Sequence, residues 1–203
     1  MSEPKKGRLF IISAPSGAGK TSVARSVVES AANVRLSVSH TTRDIRKGEL
    51  SGIDYHFIDP ETFNRMIAEN RFLEYATVFD HRYGTSLDTV EQDLNQGIHV
   101  LLDIDWQGAR KVRARLPSTT SIFILPPSIE VLRQRLQDRG RDDVTTIERR
   151  MEDARREVSH FNEYDVVLVN DDFDETVHKL RKIMDDVELS SDAIPAGFLD
   201  PET

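Results

Sequence analysis

Ala14-Pro15-Ser16-Gly17-Ala18-Gly19-Lys20-Thr21 is the stretch on which the reading of this chain turns. Just before it runs Leu9-Phe10-Ile11-Ile12, an apolar strand, and Ser22–Ser30 after it has helical character. A glycine-rich turn between a buried strand and a helix N-terminus can wrap backbone N–H groups around phosphate. The first position of the Gly-x-x-x-x-Gly-Lys-Ser/Thr pattern is here Ala14, so the loop rests on the residues that follow it. Gly17 and Gly19 permit close backbone approach, the Lys20 ammonium can reach between phosphates, and the Thr21 hydroxyl can ligate Mg2+. A turn carrying a surface lysine is the plainer alternative. The strand before, the hydroxyl and the helix after favour phosphate.

The chain has 203 residues, the size of one core domain with room for insertions. With 38% hydrophobic and 31% charged residues it can build a real core. No apolar run is long enough to span a membrane, and residues 1–8 are polar, without an apolar signal segment behind them. Cysteine is absent, which excludes disulfides and thiolate metal sites. A soluble cytoplasmic protein is expected. The formal charge of -8 is unevenly spread: residues 1–156 hold 24 Lys/Arg against 22 Asp/Glu, residues 157–203 only 3 against 13. The front of the chain can therefore meet anionic ligands with arginines. No long basic stripe points to nucleic acid.

Strand and helix signals alternate. Leu9–Ser13, 98–104, 120–125 and 165–169 read as buried strands, with helices from Lys20, over 106–115, over 129–139 and from the Asn170-Asp171-Asp172 cap to about Val187. This is the pattern of a mostly parallel sheet covered by helices. Between Ser37 and Val90 the rhythm changes: 55–58 reads as a strand, 60–69 as a helix, 72–79 as a strand and 40–54 as exposed loop or hairpin. We expect a small inserted lobe over 39–89. Asp103 and Asp105 end the strongest central strand, where carboxylates can position hydrated Mg2+; as alternate residues of an extended chain they would share a face. Plain helix-cap chemistry before Trp106 is the other reading.

At this point the sequence resembles the guanylate kinases. The matching pieces are 13–21, Ser37-Val38-Ser39-His40-Thr41-Thr42-Arg43-Asp44-Ile45-Arg46, 48–55, Phe72-Leu73-Glu74, Tyr83-Gly84-Thr85, 102–108, Pro126-Pro127-Ser128 and Val169-Asn170-Asp171-Asp172. They follow the family's order over roughly residues 8–187 and look like the free-standing bacterial-type enzyme. The resemblance implies an α/β P-loop nucleoside-monophosphate kinase fold with a GMP-binding lobe and a helical lid. It implies reversible, Mg-dependent phosphoryl transfer from ATP to GMP. The expected organisation is one domain, 1–203: core 8–38, 90–127 and 157–187, GMP lobe 39–89, lid 128–156 and a loose acidic tail 190–203.

The resemblance also distributes roles. Ala14 to Thr21 would hold ATP. Arg43, Arg46, Tyr55 and Tyr83 would take the GMP phosphate, suited to it by planar guanidinium groups and phenolic donors. Read without the motif, that loop could be solvated surface with Lys47 and Glu49. Glu74 would accept both guanine N1–H and N2–H₂, which adenine cannot satisfy, helped by Ser39 and Thr85. Family members often carry serine at the position of Thr85, and the hydroxyl is retained. The segment 133–156 holds eight arginines and six acidic residues, for which solvated paired helices are the bland reading. The resemblance selects Arg135, Arg139 and Arg150 in the lid, Arg135 near adenine and the donor phosphates and Arg139 and Arg150 on the transferring phosphoryl group after closure, and Asn170 as an adenine contact. Thr21 would hold the metal of MgATP, with Asp103 or Asp105 acting through water; both aspartates also stay open for guanine. The six histidines lack a metal-binding spacing, and a homo-oligomer is left open. The rival readings are a related kinase with another acceptor, and a silent guanylate-kinase-like interaction module.

Overall fold

Five consecutive buried residues, Leu9–Ser13, make β1, and the turn after it delivers the chain to α1 (Lys20–Ser30). A computed structural model describes residues 6–78, 80–138, 144–185, 190–195 and 198. In chain order the elements continue with β2 (Val34–Leu36), β3 (His40–Thr41), β4 (His56–Phe57), α2 (Pro60–Ala68), β5 (Phe72–Val78), β6 (His81–Ser86) and α3 (Leu87–Asn95). Then come β7 (His99–Asp103), α4 (Trp106–Arg115), β8 (Thr120–Leu125), α5 (Ile129–Asp138), α6 (Val144–Val158), β9 (Val166–Val169) and α7 (Phe173–Met184). No helix among the described residues is long and apolar enough to cross a membrane.

The described residues fall into two compact units. One is drawn from Phe10–Ala32, Asp103–Trp106 and Thr120–Thr203. Its strands β1, β8 and β9 are parallel, with Phe10 opposite Thr120 and Ile122 opposite Val166. Near-continuous apolar strands of this kind are what a parallel sheet buried on both faces requires. Helix α7 starts on Asp172, whose side chain accepts from the Glu175 N–H, the cap the sequence announces. Helices α5 and α6 carry their own small core of Leu132, Leu136, Ile147, Met151 and Ala154. The expected loose tail is not loose at its start. Asp192 N–H donates to Val167 O at 2.8 Å, and Val167 N–H donates to Ser191 Oγ at 2.9 Å. Asp192 Oδ2 accepts from Val169 N–H at 2.9 Å and Oδ1 from Lys179 Nζ at 2.7 Å. These bonds run along β9, the terminal strand of its sheet, and satisfy backbone groups that an edge would leave unpaired.

The other unit is drawn from Met1–Leu9, Asn33–Leu102 and Gln107–Thr119. It holds the parallel pair β2–β7 and a second sheet in the order β4-β3-β6-β5. In that sheet β5–β6 and β3–β6 are antiparallel and β3–β4 is parallel. Helix α2 follows Asp59, which caps the Thr62 N–H, and sets Phe63 and Met66 against Phe72. The strand β5 lies at the sheet edge, and α4 covers part of it: Arg115 Nη1 donates to Phe72 O at 3.1 Å, and Lys111 Nζ donates to Tyr75 O. Four elements have no counterpart in the sequence reading: β2, β6, α3 and β3, whose Thr41 is fully buried in the stretch expected as exposed loop or hairpin.

Candidate functional site

Within the unit that holds β1 and β8, the 14–21 loop takes the shape its glycines allow. Gly17 (φ +98°) and Gly19 (φ +92°) occupy the left-handed region. Ala14 is not among the described non-glycine residues with positive φ, which are Asn70 and Asp80. Its backbone therefore has no need of glycine, and the departure from the motif is conformationally neutral. Gly19 is the N-cap of α1 and gives no side-chain cap, and no acidic residue stands in the first turn. The helix end thus keeps backbone donors and a positive dipole for an anion. A Cβ at Gly17 would lie 3.0 Å from Leu132 Cδ1. We expect Gly17→Ala to lose about 1–2 kcal/mol from backbone strain alone, read as a lowered denaturation midpoint, together with weakened ATP binding.

Lys20 and Thr21 open α1 and meet one carboxylate. Lys20 Nζ lies 2.7 Å from Asp103 Oδ1 and donates to Ile104 O at 3.3 Å. Thr21 Oγ1 donates to Asp103 Oδ2 at 2.9 Å. A cation, a hydroxyl and a carboxylate so placed can grip a polyphosphate and, through hard oxygen donors, its metal. Among the described residues no group of three or more His, Asp or Glu side chains is placed to hold a metal ion. The strand β7 ends at Asp103, and Ile104 N–H still donates to Ile12 O at 3.3 Å, with Ile104 buried between the half-buried Asp103 and Asp105.

Asn170, immediately after β9, is buried and ties the loop to its surroundings. Its Nδ2 donates to Ala18 O at 2.7 Å, and Arg135 Nη2 of α5 donates to Asn170 O at 3.2 Å. Arg150 sits half-buried on α6. Arg139 lies outside the described residues, as do Gly140 and residues 141–143. One carboxylate escaped the sequence reading: Glu157, near the end of α6, accepts from the Ser16 N–H at 3.0 Å. Burial pushes its carboxyl up to about 7, Asp105 and Asp153 push the same way, and Lys20 and the Ser16 N–H oppose.

The remaining candidates cluster in the unit built on β3–β6. Arg43 is only 7% exposed, and Glu49 holds it with two bonds of 3.1 and 2.8 Å. Those bonds hold the Glu49 carboxyl below its ordinary range. The guanidinium lies 5.4 Å from the Tyr55 ring centre, and the Tyr55 and Tyr83 rings are 5.8 Å apart. Arg43, Tyr55 and Tyr83 therefore converge, with Glu49 in the position of an anion. Arg46 is on the exposed part of that loop, where its N–H donates to Glu49 at 2.8 Å. Glu49 was visible in sequence only as one more surface charge.

Glu74 lies on β5, buried to 4% exposure, and Thr85, opposite it on β6, is fully buried. Thr85 Oγ1 donates to Glu74 Oε1 at 2.6 Å. A bulge between Phe72 and Glu74 explains why Phe72, Leu73 and Glu74 are all buried where strict alternation would expose one. Ser39, also buried, precedes β3 in the same unit, and its carbonyl accepts from His56 N–H at 2.9 Å. His40, its ring tilted 31° against that of His56 at 4.6 Å, is lowered to about 4, chiefly by burial and then by the charges of His56 and Arg71, so it is a neutral packing group at pH 7.

Comparison with known proteins adds a family to this geometry. The family model described as guanylate kinase matches residues 6–187. A protein named guanylate kinase from Alcanivorax borkumensis is 52% identical over 180 residues, covering 89% of this chain and 87% of that one. Its namesake from Chromohalobacter salexigens is 54% identical over 177 residues, 87% of this chain and 82% of its own. The crystal structure of guanylate kinase from Anaplasma phagocytophilum superposes with a TM-score of 0.76 at 37% identity, covering 90% of this chain and 87% of that one.

Proposed function

This chain belongs to the guanylate kinase family, and from that premise we propose which residue does what as a phosphoryl group passes from ATP to GMP, giving ADP and GDP. The 14–21 loop takes the ATP phosphates on the backbone donors of Gly17 to Thr21, with Lys20 lying along the phosphate chain. Thr21 would hold the metal of MgATP, with Asp103 or Asp105 acting through water, and the metal would supply charge neutralisation on the phosphates. Arg135 borders the donor site beside Asn170. Arg150 and Arg139 are assigned to the lid and spread positive charge over the group in flight.

On the acceptor side Arg43, Arg46, Tyr55 and Tyr83 hold the GMP phosphate, which takes over from Glu49 as the anion beside Arg43. Glu74 accepts guanine N1–H and N2–H₂, with Thr85 and Ser39 fixing it. The acceptor oxygen of GMP is already anionic, so no general base is needed; alignment and exclusion of water do the rest. The substrates are dissolved nucleotides, and the reaction is assigned to the cytoplasm. We assign the 39–89 lobe and the 128–156 segment to closing movements on substrate binding.

The observation that supports the acceptor assignment most is the buried Glu74–Thr85 pair at 2.6 Å. A carboxylate buried on a strand is costly unless something with donors meets it. The test is turnover with GMP, AMP, CMP and UMP under saturating MgATP. GMP should be preferred by about 10²-fold or more, and activity should vanish with a chelator and return with Mg2+. Equal use of the four acceptors would remove Glu74 from recognition.

A further inference from the structure

We propose that Glu157 is a positioning residue for the donor site: its carboxylate, near the end of α6, holds the entrance of the phosphate loop through the Ser16 N–H in the shape that accepts ATP. This rests on reading the 14–21 loop as the ATP site. The bond spans 141 residues of sequence at 3.0 Å, so it is a tertiary contact and no accident of neighbours. Pro15 has no N–H, which makes Ser16 the first donor of the turn proper. The next bond in the turn, Ala18 N–H to Pro15 O at 3.1 Å, closes it immediately behind Ser16. Engaged by Glu157, the Ser16 amide fixes where the turn begins, and the amides from Gly17 onward stay with the cradle. Leu132 and Leu136 of α5 press on Gly17 from the other element of the same helical pair. Both helices of that pair therefore touch the loop, α5 through apolar carbons and α6 through Glu157.

The carboxylate brings two separable properties. As an acceptor it orders the loop, and a neutral carboxyl keeps an acceptor oxygen. As a negative charge it faces Lys20 and opposes a polyphosphate, while Asp105 and its own-helix neighbour Asp153 face it with like charge. Burial sets its titration near neutral pH, so the charge is lost as pH falls from 8 to 6 while the acceptor remains.

Binding of MgATP and, separately, of GMP is to be measured by calorimetry for the wild type, Glu157→Ala, Glu157→Gln and Lys20→Ala at pH 6 and pH 8. Glu157→Ala should weaken MgATP about tenfold or more and leave GMP within about twofold. Glu157→Gln, an acceptor without charge, should restore MgATP affinity to within about threefold of the wild type at pH 6. The wild type should bind MgATP more tightly at pH 6 than at pH 8, and Glu157→Gln should lack that difference. The proposal is overturned if Glu157→Ala binds MgATP as the wild type does, if both nucleotides weaken together, or if Gln rescues nothing. Lys20→Ala separates the two levels: undiminished MgATP binding there would overturn the loop as donor site, and with it this proposal, whereas its loss alongside an indifferent Glu157→Ala would overturn the positioning role alone.

Discussion

Lys20→Ala lowers kcat by about 10³-fold, roughly 4 kcal/mol in the barrier, while KM for GMP stays within about twofold. The expectation follows from where the ammonium sits. Lys20 is the first residue of α1, reached through two glycines in the left-handed region, and it leans across to Asp103 at 2.7 Å. That position is at the helix end where the backbone already favours anions. Phosphoryl transfer leaves the protein little covalent work, so the loss of one aligned cation weakens MgATP binding and falls more heavily still on the transition state. Removing the ammonium also leaves Asp103, which accepts from the Thr21 hydroxyl, facing incoming phosphates without its cation. A coupled assay of ADP release at saturating GMP reads the effect. A kcat within tenfold of the wild type would take Lys20 out of the transfer step.

Glu74→Gln is expected to change what the enzyme selects more than whether it works. A carboxylate presents two acceptors to the two donors on the guanine edge. Glutamine presents one acceptor and one donor, the pair that adenine's N1 and N6 can meet. We expect kcat/KM for GMP to fall by about 10²–10³-fold, with AMP turnover unchanged or raised, so that the GMP-to-AMP ratio collapses. The Thr85 hydroxyl, 2.6 Å from Glu74 Oε1, still finds an oxygen in the variant, which keeps the fold intact. A parallel melting curve should therefore superpose on the wild type's. Equal losses for GMP and AMP would mean that Glu74 supports the sheet and does not read the base.

The donor half was legible because its chemistry is local. Strand, glycine turn, lysine and hydroxyl follow one another within thirteen residues, and Leu9–Ser13 and Lys20–Ser30 appear where apolar run and helical pattern put them. The acceptor half was legible only through its resemblance to a family. The strand β6 reads His81-Arg82-Tyr83-Gly84-Thr85-Ser86, with polar residues on both faces and no apolar alternation to reveal a strand. The three-residue β2 buries one side chain fully, and in α3 the buried positions are Val90 and Asp93, too faint a stripe to announce a helix. Its Ser86 cap, with Asp88 in the first turn, was the usable signal. Glu157 was illegible for a different reason: within an arginine-rich helix it looks like a solvated charge, and its partner lies 141 residues away.

Ser191 and Asp192, laid along β9, bear on how the acidic end of this chain should be judged. Together they act as a blunt substitute strand, giving side-chain oxygens where a neighbouring chain would offer carbonyls. An enzyme shortened before them would keep every residue assigned to ATP and GMP yet present a bare template for other molecules to pair with. Its failure would show as precipitation in the tube and clearance in the cell, with catalysis intact in whatever stays dissolved. A shortened enzyme assayed in crude extract would then imitate the loss of a regulatory tail, when what had gone was a guard against self-association.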